Sequence, residues 1–299
     1  MKNLNDILKE LKVTGISGDA ERVITGVTAD SREVKPGCLF VAVRGTKIDG
    51  HGFIGKAVES GAVAVICEQL PEALPGGVTF IAVDDSAAAT GLAAAAFYDH
   101  PSRRLKLTGV TGTNGKTTIA TLLYNMFDGL GYKCGLLSTV CNYVFRTRRD
   151  ATHTTPDPVN LNALLAEMAD QGCEYAFMEV SSHAIDQKRI AGLHFAGGIF
   201  TNLTHDHLDY HKTFDNYLAA KKKFFDGLTP EAFSLVNADD RNGSVMVQNC
   251  RASKQSFSLR GMADFRCNIV EQGFEGMLLK INGTEVWTHF IGDYNASNL

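Results

Sequence analysis

The sequence has 299 residues, which is long enough for two domains with separate hydrophobic cores. Its apolar fraction of 44%, charged fraction of 21% and formal net charge of −4 are typical of a globular protein and argue against a nucleic-acid or membrane-surface partner. No apolar run approaches the roughly 18–20 residues of a membrane span, and seven dispersed cysteines without a Cys-x-x-Cys pair argue against disulfides or zinc and favour a reducing cytoplasm.

The first hundred residues predict a small α/β domain. Three apolar segments have the composition of buried strands and an alanine-rich helix follows them: Gly37–Val43, Ala62–Cys67, Val78–Val83 and about Ser86–Tyr98. The sequence Asp99-His-Pro-Ser102 breaks this helix and predicts a short linker. We therefore expect a domain boundary here, with one domain at 1–101 and a second at 102–299.

From Leu105 onward strands and helices alternate, which predicts a mostly parallel sheet covered by helices. The predicted strands are Lys133–Thr139, Glu174–Val180, Gly197–Leu203 and Phe233–Asn237, and the predicted helices are Gly115–Leu130, Pro158–Gln171 and Thr213–Phe225. After Gly243 the pattern changes to added short β segments, and residues 294–299 resemble the start of a helix. In such sheets ligands bind at the carboxyl ends of the strands, where the polar motifs of this sequence lie.

The segment Gly112-Thr-Asn-Gly-Lys-Thr-Thr118 predicts a nucleotide-phosphate site. A strand-like run leads into it and a helical run follows, so that backbone N–H groups and the helix N-terminus would face an anion. Lys116 would supply a positive charge, and the Thr117 hydroxyl could hold Mg²⁺. The spacing departs from the common P-loop because Val110 stands where that pattern has glycine. The alternative is an ordinary turn between a strand and a helix.

Two further polar clusters follow predicted strands. In Glu179-Val-Ser-Ser-His183 the carboxylate is placed to bind Mg²⁺, and the alternative is a surface turn with helix-capping serines. Gln187 and Arg189 come next, and an arginine can clamp a phosphate or a carboxylate. Residues 205–211 hold three histidines and two aspartates, which favours a magnesium site over a zinc site because no cysteine lies near.

Two other segments carry weaker signals. The usual fate of the lysine run at 221–223 is a solvated helix face, but Lys221 follows two alanines that allow close packing. Burial beside other positive charge would lower the pKa of Lys221 and leave a neutral amine able to react with CO₂. Thr152-His-Thr-Thr-Pro-Asp-Pro158 predicts a rigid substrate contact, with Thr155 or Asp157 as a helix cap, or no more than a turn.

Taken together, these motifs resemble those of the Mur ligase superfamily over essentially the whole chain. The matching segments, in chain order, are Asp30-Ser-Arg32, Gly37–Gly45, Gly112–Thr118, Thr154–Pro158, Glu179–His183, Thr201-Asn202, Asp206–His211 and Ala219-Ala-Lys221. The absence of a glycine at 110 is part of the resemblance. The resemblance implies a small α/β UDP-MurNAc-binding domain followed by a P-loop ATPase domain with a mostly parallel sheet and added β segments.

The resemblance also implies an activity, which is ATP-dependent amide formation in bacterial peptidoglycan precursor synthesis. The implied substrates are UDP-MurNAc-L-Ala-D-Glu, ATP and a diamino acid, either diaminopimelate or lysine, with Mg²⁺ as the metal. A carboxylate of the precursor would attack the γ-phosphate of ATP to give an acyl phosphate, from which the amine displaces phosphate. We expect a monomer in the bacterial cytoplasm, with no nucleic-acid or membrane partner.

Residue roles follow from the resemblance motif by motif. The implied ATP-binding residues are Gly112, Thr113, Asn114, Gly115, Lys116, Thr117, Thr118 and Asn295. The implied metal ligands are Thr117, Glu179, His207 and Lys221, the last as a carbamate, and the implied catalytic residues are Lys116, Lys221 and His207. The implied contacts to the UDP-precursor are Ser31, Thr154, Thr155, Ser181, Gln187 and Arg189. No contact is assigned around Ser138–Asn142.

The superfamily has three domains, and we expect this chain to end before the third, the Rossmann-like domain that binds the incoming amino acid. The expected behaviour is then binding of the UDP-precursor without ligase activity. Two alternatives stay open. One is folylpolyglutamate synthase, which shares the P-loop and the carbamylated lysine but lacks the uridine-binding first domain. The other is a nucleotide-binding switch without ligase activity.

Overall fold

A computed structural model describes residues 1–45, 48–72, 75–151, 153–206 and 208–299, without the side chain of Leu208. These residues divide into two compact units. Unit 1 consists of Met1–Ser102, Pro156–Glu167 and Gln187–Leu193, and unit 2 of Arg103–Thr155, Met168–Asp186 and His194–Leu299. Unit 1 therefore takes in two segments from the second half of the sequence. None of the helices in the described part of the chain has the length and apolar composition that crossing a membrane requires.

Unit 1 is built around a five-stranded sheet with the strand order β2-β7-β6-β5-β4. The strands are β1 (Lys2–Asn3), β2 (Val13–Ser17), β3 (Val23–Ile24), β4 (Gly26–Thr28), β5 (Cys38–Val41), β6 (Ala64–Cys67) and β7 (Thr79–Val83). The helices are α1 (Leu4–Leu8), α2 (Ile54–Glu59) and α3 (Ser86–Phe97). Strands β4 to β7 are parallel, β2 is antiparallel to β7, and β1 and β3 form a separate ribbon.

Both faces of this sheet are buried, which explains why its strands are continuously apolar. Along β5, Leu39 and Val41 belong to one hydrophobic cluster while Phe40 belongs to the other. Side chains alternate between the two faces of a strand, so a strand covered on both sides needs apolar residues at every position. The predicted strands and the predicted helix of this region are present, each shortened at one or both ends.

Unit 2 contains an eleven-stranded sheet among the described residues, in the order β11-β10-β9-β12-β8-β13-β14-β15-β16-β17-β18. The strands are β8 (Lys106–Thr111), β9 (Cys134–Leu137), β10 (Asn142–Val144), β11 (Thr147–Arg149), β12 (Tyr175–Glu179), β13 (Gly197–Phe200), β14 (Phe233–Asn237), β15 (Ser253–Ser258), β16 (Phe265–Gly273), β17 (Gly276–Ile281) and β18 (Thr284–Thr288). The helices are α4 (Lys116–Gly129), α5 (Pro158–Asp170), α6 (Ser182–Asp186), α7 (Leu208–His211), α8 (Phe214–Asp226), α9 (Gly243–Met246) and α10 (Asp293–Asn298).

The predicted α/β class is confirmed. Strands β9, β12, β8, β13, β14, β15 and β16 are parallel to one another, and antiparallel strands extend the sheet at both ends. The hairpin β10–β11 and the strand β15 were not predicted, because their mixed and polar composition shows no strand period. The chain also forms the expected terminal helix, α10.

Helix α8 lies directly against the centre of this sheet. Its buried positions include Tyr217, Ala220, Lys221 and Phe224, which follow the spacing of one helix face. Close packing is possible because Gly109 of β8 has no side chain, and a Cβ atom there would lie 2.7 Å from the Phe224 ring. The sequence thus turns Lys221 toward the sheet, while the next two lysines are less buried.

Candidate functional site

A glycine-rich turn joins β8 to α4 at the carboxyl edge of the sheet in unit 2. Gly115 has φ +87° and forms the N-cap of α4, a left-handed conformation that glycine adopts without steric cost. At Gly112, with φ +152°, a Cβ atom would overlap the Thr201 hydroxyl. Both glycines are therefore required by the shape of the turn. The loop and the first turn of α4 present backbone N–H groups at a helix N-terminus, which is the geometry of an anion site.

The loop that follows β13 braces this turn. Thr113 N donates to Asn202 O at 2.8 Å, and Asn114 N donates to the Asn202 side-chain oxygen at 2.9 Å. The Thr201 hydroxyl donates to Asn114 O at 2.6 Å. Because β13 is the parallel neighbour of β8, these groups meet at one sheet edge. The bracing holds the phosphate loop in a defined shape before any ligand is bound.

Lys116 begins α4 and folds back over the loop. Its Nζ donates to the carbonyl oxygens of Gly112 at 2.9 Å and of Thr113 at 2.8 Å. Burial lowers the pKa of Lys116, and the negative charges of Glu179 and Asp206 oppose that shift. The ammonium group is thus held at the mouth of the loop, where the phosphates of a nucleotide would lie.

Glu179 ends β12, the other parallel neighbour of β8, and its side chain is 1% exposed. One carboxylate oxygen accepts from the Thr117 hydroxyl at 2.9 Å and from Thr139 N at 2.7 Å. The other accepts from the Thr139 hydroxyl at 3.2 Å. A hydroxyl and a carboxylate in contact beside a phosphate loop are the oxygen ligands that Mg²⁺ prefers. The residues present therefore fit this metal.

Lys221 is 1% exposed, a rare environment for a lysine. Its Nζ donates to Gly112 O at 2.9 Å and to the Thr111 hydroxyl at 3.4 Å, and lies 4.8 Å from the centre of the Tyr217 ring. Burial lowers the pKa of Lys221 well below its ordinary value, and the nearby charge of Lys116 adds to this effect, while Asp206 opposes it. The amine is therefore more often neutral, and more nucleophilic, than that of a surface lysine.

Three of the predicted precursor contacts surround the end of β12. Thr155 donates its hydroxyl hydrogen to Glu179 O at 2.9 Å, and Thr154 shares a hydrogen bond of 3.1 Å with the Thr139 hydroxyl. The Ser181 hydroxyl accepts from Ala184 N at 3.1 Å and so caps α6. Ser181 thus has the capping role that the alternative interpretation of this segment expects, and it also lies beside the Glu179 carbonyl.

The other three predicted contacts belong to unit 1. Ser31 is buried in the turn after β4, next to Asp30 and Arg32. Hydrogen bonds from the Arg32 side chain and backbone lower the pKa of Asp30 to about 2. In the segment Gln187–Leu193, the Arg189 guanidinium donates from Nε at 3.0 Å and from Nη2 at 2.7 Å to the side-chain oxygen of Gln187.

Two predicted site residues need separate mention. His207 lies outside the described residues. Among residues 1–45, 48–72, 75–151, 153–206 and 208–299, no three His, Cys, Asp or Glu side chains converge as a metal-binding group. Asn295 lies in α10, and its side-chain amide donates to Ile291 O, just before the helix, at 2.8 Å. It is the Asn298 side chain that lies against Gly115 of the phosphate loop.

The sequence analysis did not assign Thr139, Tyr217 or Asn298. Thr139 holds both oxygens of Glu179, and the Tyr217 hydroxyl lies 3.1 Å from the Thr113 hydroxyl. Thr139 is the last residue of a predicted strand, Lys133–Thr139, and this position at a strand end could have identified it. Tyr217 stands one helical turn before Lys221, a spacing that places both side chains on the same face. Nothing local identifies Asn298, because its contact with Gly115 joins distant parts of the chain.

Two protein-family models and many curated relatives match this chain. Residues 110–299 match the Mur ligase middle domain, and residues 23–98 match the Mur ligase family catalytic domain. A curated relative from Phocaeicola vulgatus, UDP-N-acetylmuramoyl-L-alanyl-D-glutamate--2,6-diaminopimelate ligase, is 60% identical over 99% of this chain. The chain spans 61% of the length of that relative.

Solved structures show the same fold. A structure of a UDP-N-acetylmuramoyl-L-alanyl-D-glutamate--2,6-diaminopimelate ligase has a TM-score of 0.85 and 23% identity, covering 99% of this chain and 61% of that one. A MurF ligase from Thermotoga maritima in complex with ADP has a TM-score of 0.58 and 18% identity, covering 92% of this chain and 61% of that one.

Proposed function

This chain belongs to the Mur ligase family, and on that premise we propose that it acts in ATP-dependent amide formation on UDP-MurNAc-L-Ala-D-Glu in the bacterial cytoplasm, as a monomer. The incoming amine is proposed to be that of diaminopimelate, which the names of the curated relatives include. The observation that carries the proposal is the convergence at one sheet edge of the phosphate loop, the Thr117–Glu179 pair at 2.9 Å and the buried Lys221, 2.9 Å from Gly112 O.

The proposed reaction has two steps. An oxygen of the precursor's D-Glu γ-carboxylate forms a bond to the γ-phosphorus of ATP while the bond to the bridging oxygen breaks, which gives an acyl phosphate and ADP. The amine nitrogen then bonds to the carbonyl carbon, phosphate leaves with its bonding electrons, and the amine loses a proton. Two anions must approach in the first step, so Lys116 and the N–H groups of the phosphate loop offset their repulsion.

Four residues are proposed to manage the remaining charge. Mg²⁺, when bound, neutralises negative charge that develops on the phosphate oxygens. Thr117 and Glu179 would hold it, together with His207. The neutral amine of Lys221 is proposed to bond to the carbon of CO₂ and lose a proton, which gives a buried carbamate anion suited to a second cation. Asn295 is proposed to lie near the adenine.

Six residues are proposed to contact the UDP-precursor. They are Ser31, Thr154, Thr155, Ser181, Gln187 and Arg189. Residues 1–101 would form the precursor-binding domain and 102–299 the ATP-binding domain, with Gln187 and Arg189 joining unit 1 in space. An arginine held in a fixed orientation suits a carboxylate or a phosphate because its fork can donate two parallel hydrogen bonds.

Two measurements on this chain test the proposal. Calorimetric titration should show saturable binding of Mg·ATP and of UDP-MurNAc-L-Ala-D-Glu. Hydroxylamine added to the mixture should trap the acyl phosphate as a hydroxamate, with ADP formed only when the precursor is present. Lys116→Met should abolish trapping, and Lys106→Met, at the exposed start of β8, should not. Absence of precursor binding would overturn the proposal.

The same measurements separate the two alternatives. A ligase of the folylpolyglutamate type would bind a pteroylglutamate and ignore the UDP-precursor. A nucleotide-binding switch would bind ATP yet form no hydroxamate, and Lys221→Ala would leave its nucleotide affinity unchanged. For the proposed ligase, we expect Lys221→Ala to abolish trapping and added acetate or bicarbonate to restore part of it.

A further inference from the structure

The segment Gln187–Leu193 lies against helix α3 within unit 1. The contact is made by backbone on both sides. A Cβ atom built on Gly91 would lie 3.0 Å from the Ala191 carbonyl carbon and closer still to its oxygen. A Cβ atom built on Gly192 would lie 3.0 Å from Gly91 O and 3.2 Å from Leu92 Cα. Such distances leave no room for a side chain at either glycine. The segment can therefore pack closely against the helix only because both positions are glycine.

A second contact anchors the other end of the segment. One carboxylate oxygen of Asp85 accepts from Ala88 N at 3.0 Å and caps α3, while the other accepts from the Lys188 ammonium group. Lys188 has φ +56° and Gly192 has φ +79°, so the chain turns sharply near each end of the segment. Arg189 stands between these two anchors. Its guanidinium group is further oriented by two hydrogen bonds to Gln187.

We propose that Gly91 is a positioning residue for Arg189: the glycine contact seats the segment Gln187–Leu193 on α3 and fixes the guanidinium group for an anionic group of the UDP-precursor. This inference rests on the proposed function, in which Arg189 contacts that precursor. The physical reason is pre-organisation, because a side chain held in its binding orientation loses little conformational entropy on binding. A methyl group at 91 would push the segment off the helix and release Arg189.

The test compares two helical glycines of unit 1. Gly91→Ala introduces the overlap described above, whereas Gly55→Ala adds a methyl group in α2, where no heavy atom lies within 4 Å. We expect Gly91→Ala to weaken binding of UDP-MurNAc-L-Ala-D-Glu at least tenfold and to leave Mg·ATP affinity within twofold of the unmodified chain. Trypsin should also cleave faster after Lys188 and Arg189 in this variant. Gly55→Ala should change none of these three readouts.

A double-variant cycle distinguishes positioning from a general structural effect. If Gly91 acts through Arg189, Gly91→Ala should cost almost nothing further once Arg189→Ala is present, because coupled residues are not additive. Titration with UDP, which keeps the diphosphate and lacks every carboxylate, identifies the anion. A loss retained with UDP assigns the diphosphate, and a loss confined to the full precursor assigns a carboxylate.

The results of these experiments test the positioning role of Gly91 separately from the proposed function on which it rests. If the unmodified chain does not bind the precursor, the proposed function fails. If it binds and Gly91→Ala binds equally well, or if the losses of Gly91→Ala and Arg189→Ala add, the positioning role is wrong. Should Gly91→Ala fail to fold, Lys188→Met removes the second anchor at a half-exposed side chain, and the same titrations together with the rate of cleavage after Arg189 decide.

Discussion

The interior of the five-stranded sheet in unit 1 and the carboxyl edge of the sheet in unit 2 bury very different groups. Strands β5 to β7 are covered on both faces almost entirely by aliphatic and aromatic side chains. The edge around the phosphate loop buries a glutamate, a lysine and several threonine hydroxyls. Burying apolar area stabilises a fold, whereas burying a charge costs free energy unless it is paired. The first region therefore supplies stability, and the second holds costly groups that the proposed chemistry needs.

The largest expected effect comes from the apolar sheet. Phe80 in β7 is 0% exposed, so Phe80→Ala should destabilise unit 1 by about 3–5 kcal/mol through lost burial and the cavity left behind. Hydrogen exchange of peptides from β5, β6 and β7 measures the change. Trp287, the single tryptophan, lies in β18 of unit 2, and its fluorescence transition in urea should shift little. Phe53→Ala, at a side chain 40% exposed, is the control and should cost far less.

The next prediction concerns the carboxyl edge of the sheet in unit 2, and it is a gain in stability instead of a loss. Lys221→Met removes a buried ionisable amine while keeping a linear side chain, and Gly112 O retains its hydrogen bond from Lys116. We expect the variant to be more stable by about 1–4 kcal/mol at neutral pH in bicarbonate-free buffer. Lys223→Met, at an exposed position of the same helix, is the control. A destabilised Lys221→Met protein would show that the charge is compensated in the fold.

The pH dependence of this gain checks its cause. The pKa of Lys221 is lowered in the folded state by burial, so the unfolded chain binds more protons between the folded pKa and about 10.5. The folded protein is therefore penalised most below its own pKa, and the penalty disappears as the pH rises toward the unfolded value. The stability difference between Lys221→Met and the unmodified chain should shrink over that window, as measured by urea unfolding. A difference independent of pH would contradict a charge penalty.

A smaller effect is expected at Glu179, where charge is proposed to serve metal binding. Glu179→Gln keeps the size of the side chain but weakens its hold on a cation and on the Thr117 hydroxyl. We expect the Mg²⁺ concentration that half-saturates ATP binding to rise about 10–100-fold. Glu174→Gln, just before the same strand and exposed, should have no effect. An unchanged Mg²⁺ requirement in Glu179→Gln would remove Glu179 from the metal site.

Local sequence patterns predicted some of this edge, and long-range contacts decided the rest. The glycine-rich loop and Glu179 could be found because each lies at the carboxyl end of an apolar strand, and parallel strands bring these ends to one edge. Lys221 could be suspected from the two alanines before it. The roles assigned to these residues stay predictions, as do those of Ser31, Thr154, Thr155 and Asn295.

The membership of the segment Gln187–Leu193 in unit 1 could not be predicted in the same way. Nothing in its composition distinguishes it from the neighbouring chain of unit 2. Its position depends on a glycine in α3 that is distant in sequence and on an ion pair with Asp85. Contacts of this kind are tertiary, so neither periodicity nor capping signals report them. The hydrogen bonds of Thr139 to Glu179 have the same character.

The smallest expected effect concerns the polar contacts of unit 1 and their contribution to its stability. Asp85→Asn keeps a good helix cap for α3 but loses the ion pair with Lys188, so we expect a loss of only about 0–1 kcal/mol at pH 7.

Partial burial raises the pKa of Asp85, but hydrogen bonds from Lys188 and Ala88 outweigh it, and the pKa is lowered. The carboxylate therefore contributes stability above its unfolded pKa near 3.8, and this contribution disappears as the pH falls through the folded value. Hydrogen exchange of α3 peptides at pH 7 and in acid measures the difference, which should vanish in acid. Asp6→Asn, in the exposed pair with Lys9, is the control; an equal change there would mean that the Asp85 contact is no different from a surface ion pair.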